Sequence, residues 1–226
     1  MKDRSSPPEP DHKSIMADVR QSWRVVAASQ QKIFYFLRRF EAENPELQFI
    51  HWGPAFNLRP PRRSTKPWER WNWDFLPLYA ADYWFAPNGI KEHSELSVGN
   101  WFVVVRVFID DEYTDEGELT ASFNGPDPVK MPAVEDTGST VEIFLYEVTK
   151  KDGEGQTPSK LWEVDESDWE KGVWTELPDL GARAMTRCNG LETLLDDNAV
   201  TVLIAQFRSD VDAAGLIEQN SVLAPT

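Results

Sequence analysis

The sequence predicts an α+β fold in which one long N-terminal helix packs on a mainly antiparallel sheet of about five to six strands. Residues 14–44 have the apolar spacing of a helix, and several later segments have the apolar content of strands. Too few helical patterns separate those strands to form the crossovers that a parallel sheet requires. With 226 residues, 41% of them hydrophobic, the chain can bury a core as one domain over residues 14–226.

The predicted helix begins near Ser14 and ends before Pro45, since the residue before a proline avoids helical geometry. Residues 1–13, which contain three prolines, are predicted to form a flexible tail. Eight residues recur at alternating intervals of three and four along the helix: Met16, Val19, Trp23, Val26, Gln30, Ile33, Leu37 and Phe40. A helix of roughly 45 Å is long for a domain of this size.

This spacing has two interpretations. The helix packs on the sheet along its whole length, or it overhangs the domain and forms a homodimer or pairs with another protein through Trp23, Ile33 and Leu37.

Apolar runs predict the strands. Residues 47–52, 101–109, 140–148 and 200–207 are strand candidates, and 101–109 is expected to be central because Arg106 is its one polar residue. Weaker strand candidates are residues 118–123 and 160–164, and short helices are expected over 181–195 and 210–223. Stretches rich in proline and glycine predict mobile loops near residues 53–67, 124–139 and 150–159.

Residues 66–85 hold eight aromatic side chains, four of them Trp. Trp71, Trp73 and Phe75 alternate as in a strand, whereas Tyr79, Tyr83 and Trp84 have near-helical spacing, which predicts a change of conformation near Pro77. Such a segment forms part of a core, anchors a protein partner, or stacks on bases or sugars.

The charge of the chain is uneven. The net charge is −15, yet residues 1–70 alone carry 13 basic and 8 acidic residues. The remaining residues carry 10 basic and 30 acidic residues, so that most of the surface is expected to repel nucleic acid and to attract basic partners.

No catalytic, metal-binding or cofactor-binding motif is recognisable. Cys188 is the single cysteine and cannot form an internal disulfide. The histidines lie in separate segments, and the acidic run after the 101–109 strand lacks the alternation and the glycine position of a calcium loop. We therefore predict no catalytic residue, no metal site and no cofactor, although an enzyme with an unfamiliar active site stays an alternative, because catalytic groups converge in space.

These observations favour a non-enzymatic interaction protein of the inhibitor, immunity or adaptor type. It would dock on a basic protein surface, such as that of a nucleic-acid enzyme. The predicted contact residues are acidic or aromatic: Asp110, Asp111, Glu112, Asp165, Glu166, Asp168 and Trp169.

The alternative is a nucleic-acid-associated subunit of a larger complex. It would use a local basic and aromatic patch of Arg59, Arg62, Arg63, Lys66 and Trp68. A cytoplasmic location without membrane contact is expected, since no apolar run resembles a signal peptide or reaches the length of a membrane span.

Overall fold

The computed structural model describes residues 12–55, 80–110, 133–151, 155–163 and 169–217, and it confirms the α+β fold. The helices are α1 (His12–Glu43), α2 (Pro158–Trp162) and α3 (Asp197–Ala213). The strands are β1 (Leu47–Pro54), β2 (Ala80–Pro87), β3 (Trp101–Phe108), β4 (Thr140–Val148), β5 (Thr175–Leu177) and β6 (Ala182–Gly190).

The six strands form one sheet in the order β1-β2-β3-β4-β6-β5, and every neighbouring pair is antiparallel. The predicted strands at 47–52, 101–109 and 140–148 are confirmed. β3 is central, and each of its residues except Arg106 is buried. Its apolar side chains therefore contribute to the core on both faces of the sheet.

The first face of the sheet is covered by α1 and α3. Phe36 and Phe40 of α1 are completely buried. The ring of Phe40 lies 5.3 Å from that of Phe85 in β2 and 4.8 Å from that of Phe207 in α3. The C-terminal half of α1 is thus held between the sheet and the last helix by aromatic packing.

The two halves of α1 differ in their surroundings. All residues from 13 to 28 are exposed, whereas Ile33 is 1% exposed and Leu37 packs against the same core. Of the three residues predicted for self-association, only Trp23, at 52% exposed, lies on the open surface. Ile33 and Leu37 pack in the core. Only the N-terminal half of the helix therefore extends beyond the domain.

The second face is covered by α2 and neighbouring turns. The rings of Phe102 and Tyr146 stack at 4.7 Å, and Trp162 of α2 contacts Trp84 and Phe144 edge-on. In the described part of the aromatic segment 66–85, both Trp84 and Phe85 are buried in β2. The helical spacing predicted around Tyr83 is therefore wrong, and residues 66–79 lie outside the described residues.

The prediction of a strand at residues 200–207 is wrong, because this segment belongs to α3. Its buried residues follow a helical spacing: Val200, Leu203, Ile204, Phe207 and Val211. The Asp196 carboxylate caps the helix and accepts hydrogen bonds from the backbone N–H groups of Asn198 and Ala199 at 2.7 and 3.4 Å. Residues 200–207 are almost all apolar, so the helical spacing of the buried residues cannot be distinguished in the sequence.

The prediction of a helix over residues 181–195 is also wrong. Residues 182–190 form β6, and a 3-10 turn follows at Leu191–Leu195. Pairing with β4 overrides local propensity, and the small side chains of Ala182 and Ala184 fit beneath the aromatic layer of the second face.

The predicted strand at 160–164 is likewise replaced by α2. Its start is fixed by Pro158 at the first turn and by the Thr157 side chain, which accepts a hydrogen bond from Lys160 N. The helix predicted over 210–223 corresponds within the described residues to the last turn of α3, a turn at residues 214 and 215, and the helical residues 216 and 217.

The remaining local predictions fall mostly on parts that the structure does not describe. Residues 118–123 and 1–11 lie outside it, while residues 12 and 13 belong to α1. Of the three predicted loops, the described parts are residues 53–55, of which 53 and 54 end β1, residues 133–139 with a 3-10 turn, and residues 150–151 and 155–157, while residues 158 and 159 begin α2. No helix among the described residues is long and apolar enough to cross a membrane.

Candidate protein-binding surface

The four arginines that the structure describes after α1 are all engaged inside the molecule. Arg106 Nε donates to Asp82 Oδ1 at 2.8 Å, and Arg183 Nη2 lies 2.6 Å from Glu147 Oε2. The local reason is the antiparallel register, which places Arg106 directly opposite Asp82 and Arg183 directly opposite Glu147. Cross-strand pairs of opposite charge form readily at such positions.

The other two arginines fasten helices to the sheet and to each other. Arg187 of β6 donates to both carboxylate oxygens of Asp210 in α3, at 2.5 and 2.7 Å. Arg208 of α3 donates to the backbone carbonyl of Glu43 at the end of α1. These four guanidinium groups therefore already have partners within the protein, and Arg183 also lies directly opposite Glu176 of β5.

The Asp82–Arg106 pair is the most buried of these contacts. Trp162 Nε1 donates to Asp82 Oδ2 at 3.0 Å, and Arg106 Cζ lies 4.3 Å from the centre of the Trp162 ring. Burial raises the pKa of Asp82, against the opposing effects of Arg106 and of the Trp162 hydrogen bond. The pair therefore joins α2 to the sheet.

The register extends this pair into a polar row across four strands. Asp82, Arg106, Glu142 and Cys188 lie directly opposite one another on β2, β3, β4 and β6. Burial raises the pKa of Glu142 and of the Cys188 thiol, and Lys171 opposes both shifts. A thiol with a raised pKa stays protonated at neutral pH and is a poor nucleophile, so the row is suited to structure more than to nucleophilic chemistry.

Sequence reasoning did not find this row. Each member lies on a different strand, and only the strand register brings them together. A sequence signal does exist, because Arg106 and Glu142 are charged residues within otherwise apolar strands.

A second polar cluster joins β1 to the turn before β3. His51 Nδ1 lies 3.3 Å from Glu92 Oε2, and His93 Nδ1 lies 3.0 Å from Ser159 Oγ. Ser159 Oγ donates to the Glu92 backbone carbonyl at 2.9 Å. The cluster ties this turn to α2 and β1. Among the described residues, no three His, Cys, Asp or Glu side chains converge so that they could hold a metal ion.

The exposed charges of the described body are mainly negative. After α1, eleven carboxylate residues are exposed: Glu95, Glu135, Asp136, Glu163, Glu170, Glu176, Asp179, Glu192, Asp196, Asp197 and Asp212. The exposed basic residues in the same ranges are five lysines: Lys91, Lys150, Lys151, Lys160 and Lys171. The acidic surplus of the sequence is thus present on the surface of the fold.

Three of these carboxylates belong to the segments around the β5 edge of the sheet. We call Glu170, Glu176 and Asp179 the acidic edge. Gly172 N donates to Thr186 O of β6 at 2.7 Å, which holds the turn containing Glu170 against the sheet. Glu176 lies in β5 itself, and Asp179 lies in the 3-10 turn that follows.

Two Trp side chains flank the acidic edge. Trp174 is partly buried, and the Arg183 guanidinium lies 4.4 Å from the centre of its ring. Trp169 is also partly buried and packs edge-on against Phe144 and Tyr146. Both indoles are fixed by the body and yet retain some exposed surface.

The structure describes two of the predicted contact residues, Trp169 and Asp110. Asp110 is partly buried just after β3. The other five contact residues lie outside the described residues: Asp111, Glu112, Asp165, Glu166 and Asp168. Three of these five, Asp165, Glu166 and Asp168, precede Trp169 in the sequence.

The alternative basic patch cannot be placed in the same way. All of its members lie outside the described residues: Arg59, Arg62, Arg63, Lys66 and Trp68.

Comparison with known proteins gives one kind of match. A protein-family model described as PM0109 matches residues 9–216 of the chain. No curated protein and no solved structure matches it.

Proposed function

The chain belongs to the PM0109 family, and we propose that it is a non-enzymatic interaction protein whose acidic edge binds a basic surface on a partner protein. One observation carries this proposal. The described arginines after α1 all bind carboxylates or a backbone carbonyl of the protein itself, while eleven carboxylates remain exposed on the same body.

Because exposed carboxylates outnumber exposed basic residues on this body, its surface keeps a negative electrostatic field. Such a surface steers a positively charged partner during encounter and disfavours partners of like charge. Nucleic acid is a poor ligand for it, because the phosphates would meet the same negative potential. A protein that itself binds phosphates offers the complementary surface, as a nucleic-acid enzyme does, which is consistent with the inhibitor, immunity or adaptor class.

The Trp side chains beside the acidic edge add a contact that charge alone lacks. Trp and Arg dominate the energetics of many interfaces, and side chains that are already fixed lose little entropy on binding. Trp174 meets this condition through its stacking on Arg183, which is itself held by Glu147. We expect the carboxylates to set the association rate and Trp174 to set the lifetime of the complex.

The test uses the tagged full chain in a pull-down from its native host, with nuclease and at low and high salt. The edge variant carries Glu170→Lys, Glu176→Lys and Asp179→Lys. The control variant makes the same charge change elsewhere on the exposed surface, with Glu135→Lys, Asp136→Lys and Asp212→Lys.

We expect a stoichiometric protein that survives nuclease, is lost at high salt, and is retained by the control variant but not by the edge variant. Retention by the edge variant at the level of the original chain would contradict the proposal. Recovery of nucleic acid, with loss of all protein bands after nuclease treatment, would contradict it as well.

A further inference from the structure

The N-terminal half of α1 presents an apolar face to solvent. Six large apolar side chains between residues 15 and 26 are each at least 37% exposed: Ile15, Met16, Val19, Trp23, Val25 and Val26. Sixteen exposed residues, from 13 to 28, correspond to roughly 24 Å of helix. Contiguous apolar surface of this kind is uncommon on a monomer and marks an interaction site.

This face continues the one that packs on the sheet. Met16, Val19, Trp23 and Val26 keep the spacing of three and four residues that leads on to Ile33 in the core. Residues with this spacing share one side of a helix. The helix therefore has one apolar stripe, which the protein's own core covers only in its C-terminal half.

The exposed N-terminal half of α1 also carries basic side chains beside its apolar face. Arg20 and Arg24 are exposed and lie one turn apart, and α1 has six basic residues and one acidic residue between His12 and Arg39. A covering surface should therefore combine apolar side chains with carboxylates.

Such a surface is present on the molecule itself, at the start of α3. Leu195 and Val202 are 64% and 65% exposed, and Glu192, Asp196 and Asp197 are exposed beside them in sequence. Arg39 Nη2 donates to Thr201 Oγ1 at 3.0 Å, which shows that this surface lies next to the C-terminal half of α1.

We propose that the N-terminal half of α1 docks on a second copy of this chain, in a reciprocal, antiparallel pairing of two α1 helices. Antiparallel pairing lays the exposed half of each helix along the C-terminal half of the other. There it meets the partner copy's exposed Phe34 and Tyr35 and the acidic start of its α3.

Two-fold symmetry also determines how much surface area the dimer buries. A helix face of roughly 24 Å by 10 Å is small beside the about 800 Å² that each partner buries in a standard interface. Two-fold symmetry uses the helix and its receiving surface twice, so each copy contributes roughly 480 Å², the size of a weak, concentration-dependent dimer. An anionic membrane is a poorer fit, because the acidic body would be repelled from the same surface that attracts the helix.

Light scattering on the purified full chain, over a roughly hundredfold range of concentration, tests the proposal. We expect a mass of about twice the 25.9 kDa of one chain. Trp23→Asp with Val26→Asp should produce a monomer with an unchanged circular dichroism spectrum. The matched control, Val98→Asp with Val134→Asp, alters exposed valines away from α1 and should remain dimeric.

A charge exchange identifies the receiving surface. Arg20→Glu with Arg24→Glu should weaken the dimer about tenfold. Adding Glu192→Lys and Asp197→Lys to the same chain should restore it, because each copy supplies both surfaces.

A monomer at every concentration would overturn the proposal. So would a dimer indifferent to the Trp23 and Val26 substitutions, failure of the charge exchange to restore the dimer, or a monomeric chain that binds phosphatidylserine vesicles through α1. The edge variant with lysine at 170, 176 and 179 should dimerise normally, so this result is separate from that of the proposed function.

Discussion

The Asp82–Arg106 pair shows how a charged residue is accommodated in a central strand. Arg106 occupies a position of β3 where every neighbour along the strand is buried and apolar. It is tolerated because Asp82 lies opposite, Trp162 lies over its guanidinium, and the Trp162 indole also donates to the carboxylate. A buried ion pair is tolerated when its hydrogen bonds are complete, and it is costly when one partner is removed.

Arg106→Met should lower the free energy of unfolding by about 3–5 kcal/mol, because it leaves the buried Asp82 carboxylate without its counter-charge. Urea unfolding at neutral pH measures this loss. Asp82→Asn combined with Arg106→Met should recover part of it, since the asparagine oxygen still accepts from Trp162 and no charge is buried. If Arg106→Met lowers the free energy of unfolding by less than about 1 kcal/mol, the ion pair does not stabilise the contact between α2 and the sheet.

Glu142 should make stability depend on pH in the direction opposite to that of an ordinary salt-bridged carboxylate. Burial raises its pKa above the 4.5 of the unfolded chain, so the native state retains the proton to higher pH. The native state then binds more protons than the unfolded state in this window, and stability falls as pH rises through it.

Glu142→Gln removes this titration. The variant should therefore gain stability relative to the original chain as the pH rises above 4.5, the ordinary pKa of a glutamate side chain, as measured by urea unfolding at each pH. A difference that stays constant or reverses would mean that Lys171 and Arg106 outweigh burial at this carboxyl.

The helix α1 is one element with two mechanical roles. Phe40 is enclosed by Phe36, Phe85 and Phe207, whereas the Trp23 side chain is half exposed and is not part of the buried core. Local stability should follow these contacts, since helical stability in proteins comes mainly from packing.

Phe40→Ala should cost about 3–5 kcal/mol of folding free energy, whereas Trp23→Ala should change it by less than about 0.5 kcal/mol. Thermal or urea unfolding of dilute protein provides the comparison. In the same protein, the amides of residues 13–28 should exchange with deuterium much faster than those of residues 33–43. Equal protection of both halves in dilute protein would contradict this division of the helix.

For the molecule as a whole, charge and topology act together. The sheet order β1-β2-β3-β4-β6-β5 places β5 at an edge, and the segments around this edge carry Glu170, Glu176 and Asp179. Among the described residues, α1 carries six Lys and Arg side chains, and its N-terminal half extends beyond its own core contacts. One chain thus has two surfaces of opposite charge at different places on the fold.

The sequence was sufficient for the fold class and for the elements whose pattern is long or unambiguous. α1 has a sustained period, and β3 and β4 have apolar runs bounded by charged or turn residues. It failed in α3, where a short apolar run fits both the helix and the strand period. It also failed in β6, where pairing with β4 overrode the local helical propensity.

The candidate surface could be predicted only in outline. The acidic surplus of the sequence is visible on the surface of the fold. The ion pairs of Arg106, Arg183 and Arg187, however, depend on partners that are 23 to 36 residues away along the chain. Tertiary structure decides whether a charged side chain is paired within the protein or exposed to solvent, so the local sequence cannot predict it.

The packing of α1 against α3 has a consequence for synthesis of the protein. Arg39 and Thr201 meet across 162 residues of chain, so the aromatic face of α1 leaves the ribosome long before the helix that covers it. At typical translation rates of about 5–20 residues per second, this interval lasts roughly ten to thirty seconds. During that time the nascent chain displays Phe36 and Phe40 together with the apolar stripe beyond them, and we expect a chaperone to bind there until α3 emerges.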